Sequence, residues 1–339
     1  MKEETLSIVI PIYNAEHFLP ECLVTLSERK EGDELILIND GSTDRSKEIC
    51  EEFANKNKNV HFIDQPNLGV SESRNNGIKQ VKSKWVMFVD ADDTLTKGWR
   101  KEIENALASF SKSDVIIFSK QIESQEYDAI SCLRTTFGDR SIPELRGGYL
   151  NSPWSKIYSK KIINDNEIEF DRKLIIGEDL LFNCHVYSKS RRIIGINHSI
   201  YRINKNIGST INRFDSKIIE NELVFHEEFK KFLKNNHFNQ DFWEILFEEN
   251  LLRGLFSVVN KIALTHEKDR VELVRKLLIR PEYRVALGKF PAYKKQFSRI
   301  AQVLLGLLYH ENVEAALFCA KLFYFIKKLH YKSGITEEI

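Results

Sequence analysis

The sequence predicts an α/β fold, with a mainly parallel sheet in the N-terminal part and an all-helical C-terminal part. From residue 5 to about 119, short apolar runs alternate with amphipathic stretches, the pattern of successive βαβ units. Three polar motifs directly follow apolar runs, where open α/β sheets hold their ligands. From about residue 215 onward the apolar spacing is helical to the end.

The expected strands are Ser7 to Ile12, Glu34 to Asn39, Val60 to Asp64, Trp85 to Asp90 and Val115 to Ser119, with helices in the gaps. The second intervening helix has a readable start, because Ser42 or Thr43 can cap it ahead of Asp44 and the periodic Ile49 and Phe53. Residues 120–150 read as irregular, and 151–212 as short helices and strands with a polar loop at 204–210. In the helical part, Phe225, Phe229, Phe232 and Leu233 share one face, as do Ile300, Val303, Leu304, Leu307 and Leu308. Antiparallel helix pairs suit this pattern, which contains no exact internal repeat.

Composition narrows the function classes. A chain of 339 residues is long enough for about two domains, and 50 Lys and Arg against 49 Asp and Glu give no global basic field for nucleic acid. Its five cysteines are scattered and form no Cys-x-x-Cys, which argues against a disulfide framework and a zinc site and suits a reducing cytosol. The apolar run Leu6 to Ile10 stops at Pro11, too short for a signal peptide core, and no run reaches bilayer-spanning length. The expected location is therefore cytoplasmic, soluble or peripheral at the inner face of the membrane. Without a secretory signal, the Asn197-His198-Ser199 glycosylation pattern reads as coincidence.

The chemistry concentrates in Phe88-Val89-Asp90-Ala91-Asp92-Asp93-Thr94, three carboxylates within four positions at the end of an apolar run. Like charges this close need a compensating cation or a retained proton. An Asp-x-Asp at a strand end can hold Mg²⁺ or Mn²⁺ while leaving positions for substrate phosphates. A turn of solvated carboxylates is the plainer reading. A third is the nucleophile motif of haloacid-dehalogenase-type phosphatases, with Asp90 attacking phosphorus and Asp92 as acid/base; that motif belongs on a first strand and leaves Asp40 and Arg74 without roles.

Asp40, before Gly41, can accept from the imide N–H of a pyrimidine base or can serve an ordinary turn. Gly69 at a helix entrance and Arg74 in its early turns suit a diphosphate, while an ion pair from Arg74 to the acidic cluster is the alternative. Glu178-Asp179 stands at an apparent helix start, which favours carboxylates through the helix dipole. The functional reading makes Asp179 a general base on an acceptor hydroxyl, oriented by Glu178.

In order, Pro11-Ile12-Tyr13-Asn14, Asn39-Asp40-Gly41-Ser42-Thr43-Asp44, Gly69 with Arg74-Asn75-Asn76-Gly77, Asp90-Ala91-Asp92-Asp93, Trp154-Ser155-Lys156-Ile157-Tyr158 and Glu178-Asp179 form a series. The series resembles bacterial family 2 glycosyltransferases with the GT-A fold, over residues 5 to about 212. The resemblance implies a Rossmann-like GT-A catalytic domain at 1–212 and a helical accessory domain at 213–339. It further implies metal-dependent, inverting transfer of a hexose or N-acetylhexosamine from a UDP-sugar. The acceptor hydroxyl would belong to a glycan, glycoprotein or lipid-linked molecule in bacterial surface glycan assembly, with Mn²⁺ or Mg²⁺ as cofactor.

By the same resemblance, Asp40 serves the base, Asp90 the ribose, Asp92 the metal and Asp179 the acceptor proton, with Glu178 beside it. Arg74 would meet the diphosphate, Trp154 and Lys156 the sugar side, and Pro11, Tyr13, Asn14 and Ala91 would complete the donor site. Where many relatives place a metal-binding His after a Tyr-Arg pair, this chain reads Tyr201-Arg202-Ile203-Asn204, making Asn204 an oxygen-donating candidate. Gly208-Ser209-Thr210 resembles the loop that closes over the donor, with Ser209 toward phosphate. A binding module without turnover would need a lost base or metal residue, and Asp92 and Asp179 are both present. Phe323, Tyr324 and Phe325 beside Lys327, Lys328, His330 and Lys332 suit core packing with a solvated basic end, a membrane contact or a homodimer.

Overall fold

The computed structural model describes residues 5–137, 142–145, 149–204, 217–236, 239–265, 268–330 and 337–338. The chain divides into two compact units, residues 1–206 with 336–339, and residues 207–335.

The first unit begins with β1 (Leu6–Ile12), α1 (Leu19–Thr25), β2 (Glu34–Asp40), α2 (Ser46–Lys56), β3 (Val60–Gln65), α3 (Val70–Gln80) and β4 (Trp85–Phe88). It continues through β5 (Thr94–Leu95), α4 (Trp99–Phe110), β6 (Val115–Phe118), β7 (Glu126–Tyr127), α5 (Ala129–Thr136), β8 (Lys156–Ser159), α6 (Lys160–Asp165), α7 (Glu178–Lys189), β9 (Ile193–Ile196) and β10 (Tyr201–Ile203). The main sheet has the order β3-β2-β1-β4-β8-β6-β9-β7. Parallel pairing joins β3, β2, β1 and β4, while β8 runs antiparallel between β4 and β6. β10 pairs antiparallel with β5 in a small second sheet.

The central strands are continuous apolar runs because both faces are covered. Leu6, Ile8, Val9, Ile10 and Ile12 of β1 are fully buried, as are Leu35 to Ile38 of β2. β1 lies between β2, which follows it in sequence, and β4, which is reached from β3 at the sheet's edge, so the strand order reverses at β1. Such a switch point opens a crevice beyond the strand carboxyl ends, which here carry Asn14, Asp40 and the Asp90–Asp93 turn. At the other end, the buried Arg100 of α4 grips Asp33 through two bonds of 2.6 and 2.9 Å, and Asp33 accepts from the Leu6 N–H that starts β1.

All five expected strands form. β4 ends at Phe88 instead of Asp90 because the chain turns there, with the Asp93 N–H donating to the Asp90 carbonyl. Neither Ser42 nor Thr43 caps α2, which starts at Ser46. Their side chains face Asn14, and the Asp44 carboxylate receives the Ser46 N–H. Within 120–150, α5 is a regular helix whose N-cap Asp128 accepts from the Ser131 N–H.

The second unit contains α8 (Lys217–Asn235), α9 (Gln240–Ala263), α10 (Arg270–Leu278), α11 (Pro281–Tyr293), α12 (Arg299–Tyr309) and α13 (Val313–His330). The short β11 (Glu337–Glu338) belongs to the first unit and pairs antiparallel with β10. Phe225, Phe229 and Phe232 are buried along α8 as the periodicity predicts. On α12 the buried arc is centred on Ala301, Leu304, Leu305 and Leu308, which leaves Val303 outside it at 54% exposure.

Gly77 explains one sequence motif in packing terms. It lies where α3 crosses β1, and a Cβ there would overlap Val9 Cγ1 in the buried strand. We expect Gly77→Ala to destabilise the fold by about 1–3 kcal/mol, measured by urea denaturation, through overpacking of that crossing.

Candidate active site

The first two strand-end loops are tied to each other. Asn14 takes a left-handed backbone conformation (φ 49°), which Asn tolerates better than most residues, and its Oδ1 accepts from the Thr43 N–H at 2.8 Å. Its own N–H donates to Ser42 Oγ at 3.0 Å. Pro11 is half-buried just before this loop, and Tyr13 is 52% exposed.

Asp40 is buried, and its carboxylate organises the loop after β3. Oδ1 accepts from the Leu68 N–H (2.9 Å) and from Gln65 Nε2 (2.7 Å), and Oδ2 accepts from the Gly69 N–H (2.8 Å). Since each carboxylate oxygen accepts about two hydrogen bonds, Oδ2 retains one acceptor position. Gly41 (φ 66°) must be glycine, because a Cβ would lie 2.6 Å from the Asn67 nitrogen.

Arg74 is the hub of the site. Its side chain is only 4% exposed and lies among three carboxylates. Nη1 meets Asp179 Oδ1 at 2.6 Å and Glu178 Oε1 at 3.6 Å, while Nη2 meets Asp90 Oδ1 at 3.0 Å. The guanidinium carbon is 5.2 Å from the centroid of the Phe170 ring. Asn75 exchanges two hydrogen bonds with the Phe170 backbone, so α3 fixes both the cation and the aromatic surface beside it.

Burial works against the charge of Arg74, but Asp179, Asp90 and Glu178 overcome it and hold the guanidinium above its ordinary range. Burial raises the Glu178 carboxyl, and repulsion from Asp179 adds to this while Arg74 opposes it. Asp179 is likewise raised by burial, against the pull of Arg74. Its side chain nonetheless keeps 27% exposure, so a substrate hydroxyl can reach it. Gly177 makes this placement possible: at φ 95° it turns the chain into α7 just ahead of the two acids. Asn183 then donates to the Asp179 carbonyl and accepts from Tyr158.

The crowded Asp90–Asp93 turn is held by groups of the second small sheet. Asp93 is buried, accepting from the Tyr201 hydroxyl (2.8 Å) and the Asn204 N–H (2.8 Å). The same Tyr201 oxygen accepts from the Asp90 N–H at 3.1 Å, and Asn204 Nδ2 donates to the Asp92 carbonyl at 3.0 Å. Burial, with Asp90 and Asp92 nearby, pushes the Asp93 carboxyl up to about 8. The three carboxylates therefore have different fates. Asp90 is paired with Arg74, Asp93 is raised into the protonated range, and Asp92 is half-buried at the surface of the turn.

Among the described residues, no three His, Cys, Asp or Glu side chains form a metal-binding group. Asp92 and Asn204 offer hard oxygen donors, which suit Mg²⁺ or Mn²⁺ when the substrate's phosphates supply further oxygens. The donor set thus fits a cation shared with a diphosphate and does not fit a closed protein cage.

The structure brings Arg74, Asp90, Glu178 and Asp179 together, and links Asp92 to Asn204. It gives other expected residues different positions. Lys156 is fully buried, its ammonium donating to the carbonyls of Tyr149 (2.7 Å), Ser152 (2.7 Å) and Trp154 (3.4 Å). Burial pushes that ammonium down to about 7, and it clamps the 149–154 segment instead of lining a sugar pocket. Arg74 commits both Nη groups to carboxylates, the ion-pair alternative that the sequence left open. Ala91 is buried within the turn, and Ser209 lies outside the described residues.

Phe170 and Tyr201 were not legible as site residues. Tyr201 stacks on Trp154 with ring centroids 5.1 Å apart and planes at 9°, so it reads as core until its hydroxyl is placed. We expect Tyr201→Phe to cost about 1–3 kcal/mol in urea denaturation, because it leaves the Asp90 N–H and an Asp93 oxygen without their partner.

Residues 7–165 match the model of the family described as Glycosyl transferase family 2. Glycosyltransferase GlyA of Streptococcus pneumoniae is 27% identical over 216 residues, which cover 59% of this chain and 30% of GlyA. The poly(ribitol-phosphate) beta-N-acetylglucosaminyltransferase TarS of Staphylococcus aureus is 30% identical over 199 residues, covering 58% of this chain and 34% of TarS. The chain thus spans about a third of the length of these two relatives. The crystal structure of S. aureus TarS 1–349 in complex with UDP-GlcNAc superposes with a TM-score of 0.66 at 21% identity, covering 94% of this chain and 91% of that one. The mannosyltransferase PcManGT from Pyrobaculum calidifontis, in complex with GDP-Man and Mn²⁺, gives 0.53 at 15% identity, covering 97% and 88%. The structural likenesses establish the GT-A fold, and residues 7–165 form a glycosyl transferase family 2 domain.

Proposed function

We propose that the chain is a metal-dependent, inverting glycosyltransferase that moves a hexose or N-acetylhexosamine from a UDP-sugar to an acceptor hydroxyl in bacterial surface glycan or glycoprotein assembly. Its catalytic domain is residues 1–212, with residues 213–339 as a helical accessory domain, and it works on the cytoplasmic side of the membrane. The observation that carries this reading is the Arg74 hub, which holds a reachable carboxylate, Asp179, and the strand-end Asp90 on one guanidinium. UDP as the nucleotide and a surface polymer as the acceptor are supported by TarS, whose name and complex carry them, and the metal by the Mn²⁺ in the PcManGT complex.

In this reading the acceptor oxygen attacks the anomeric carbon from the face opposite the leaving UDP, and Asp179 takes the hydroxyl proton. Glu178 and Arg74 hold Asp179 in position. Asp90 accepts from the ribose, and the remaining acceptor position on Asp40 Oδ2 accepts from the imide N–H of the base, beside the Pro11–Asn14 loop. Asp92 and Asn204 would hold the cation, which would supply positive charge to the departing diphosphate.

The test is nucleoside diphosphate release from a panel of nucleotide sugars with Mn²⁺ present. We expect release from one UDP-sugar, its loss in EDTA, and a fall in kcat of about 100-fold or more for Asp179→Asn. Undiminished turnover by Asp179→Asn would remove the assigned base.

A further inference from the structure

The overall charge balance hides a strong asymmetry. Residues 268–332 carry 14 Lys and Arg against five Asp and Glu, a net of +9, although the whole chain nets only +1. The same stretch of sequence contains an exposed apolar stripe on α13. Phe318, Leu322 and Phe325, at i, i+4 and i+7, are 70%, 51% and 53% exposed, and Ile326 beside them is 46% exposed. The opposite side of the helix, with Val313, Ala316 and Ala320, is buried against the rest of the helical unit. The helix therefore turns small residues inward and large apolar ones outward, the reverse of a surface helix that only covers a core. Exposed Lys321 borders the stripe, and the sequence continues with Lys327 and Lys328.

We propose that α13 seats the helical unit on an anionic lipid surface, its apolar stripe entering the headgroup layer and the surrounding basic residues pairing with lipid phosphates. The two observations choose this occupant together. A second copy would bring two stretches of net +9 together, which opposes docking of this face on itself. A free polyanion would satisfy the charges but leave Phe318, Leu322 and Phe325 in water. An anionic bilayer meets both, through apolar insertion and through roughly 1 kcal/mol per basic residue near the surface. No helix among the described residues is long and apolar enough to cross a membrane, so the contact lies in the interface plane. The proposal rests on no feature of the donor site.

The experiment is cosedimentation of the full chain with vesicles of phosphatidylcholine alone or mixed with phosphatidylglycerol. The chain is expected to pellet with the mixed vesicles and to be released by high salt. Phe318→Ser/Leu322→Ser/Phe325→Ser is expected to lower vesicle affinity about tenfold or more, with an unchanged thermal unfolding midpoint because these side chains face outward. Failure to pellet with the mixed vesicles would overturn the proposal, as would undiminished binding by the triple variant. Self-association abolished by that variant, without vesicle binding, would assign the face to a second copy. Retention of poly(ribitol-phosphate) without vesicle binding would assign it to an anionic polymer. Because vesicle binding is read without turnover, this result stands apart from the fate of the glycosyltransferase assignment.

Discussion

The site depends on one buried cation. Arg74 draws carboxylates from the end of β4 and the start of α7 onto a single guanidinium, joining segments more than 100 residues apart in sequence. Without it, Glu178 and Asp179 would face each other in a poorly solvated place, and removing one partner of such a buried cluster typically costs about 3–5 kcal/mol. The interaction also sets the chemistry. Burial raises the Asp179 carboxyl and Arg74 restrains that rise, so the group stays basic enough to accept a proton and acidic enough to be ionised near neutral pH.

The surrounding structure serves to hold this arrangement. Gly77 lets α3 lie close on β1, which fixes Arg74 over the crevice, and Asn75 secures Phe170 against the guanidinium. On the other side, Tyr201 and Asn204 hold the acidic turn through Asp93 and through backbone groups of Asp90 and Asp92. Lys156 stabilises the segment carrying Trp154, whose ring supports Tyr201. A chain of contacts thus runs from a buried lysine to the Asp90–Asp93 turn, which gives Lys156 a structural place beside the candidate site.

Much of the fold was legible because buried parallel strands leave continuous apolar runs, and all five expected strands appear where such runs occur. Local chemistry decided the differences. Asn14 recruits Ser42 and Thr43 away from helix capping, and a turn at Asp90 shortens β4. Among site residues, the acidic positions were legible because carboxylates at strand and helix ends are unusual enough to notice. The partners of each were not, since pairing of Arg74 with residues from 16 to 105 positions away has no sequence periodicity. Tyr201 is the clearest example, because its ring belongs to the core and only its hydroxyl belongs to the site.

The pH dependence of kcat/KM for sugar transfer, compared between the native chain and Arg74→Gln, tests the central claim most directly. If Arg74 restrains the ionisation of the base, the native acid limb lies above the ordinary aspartate value of about 3.9, and Arg74→Gln moves it upward by about one unit or more. An acid limb at the same pH in both proteins would contradict the account, because the guanidinium would then not control the group that takes the proton.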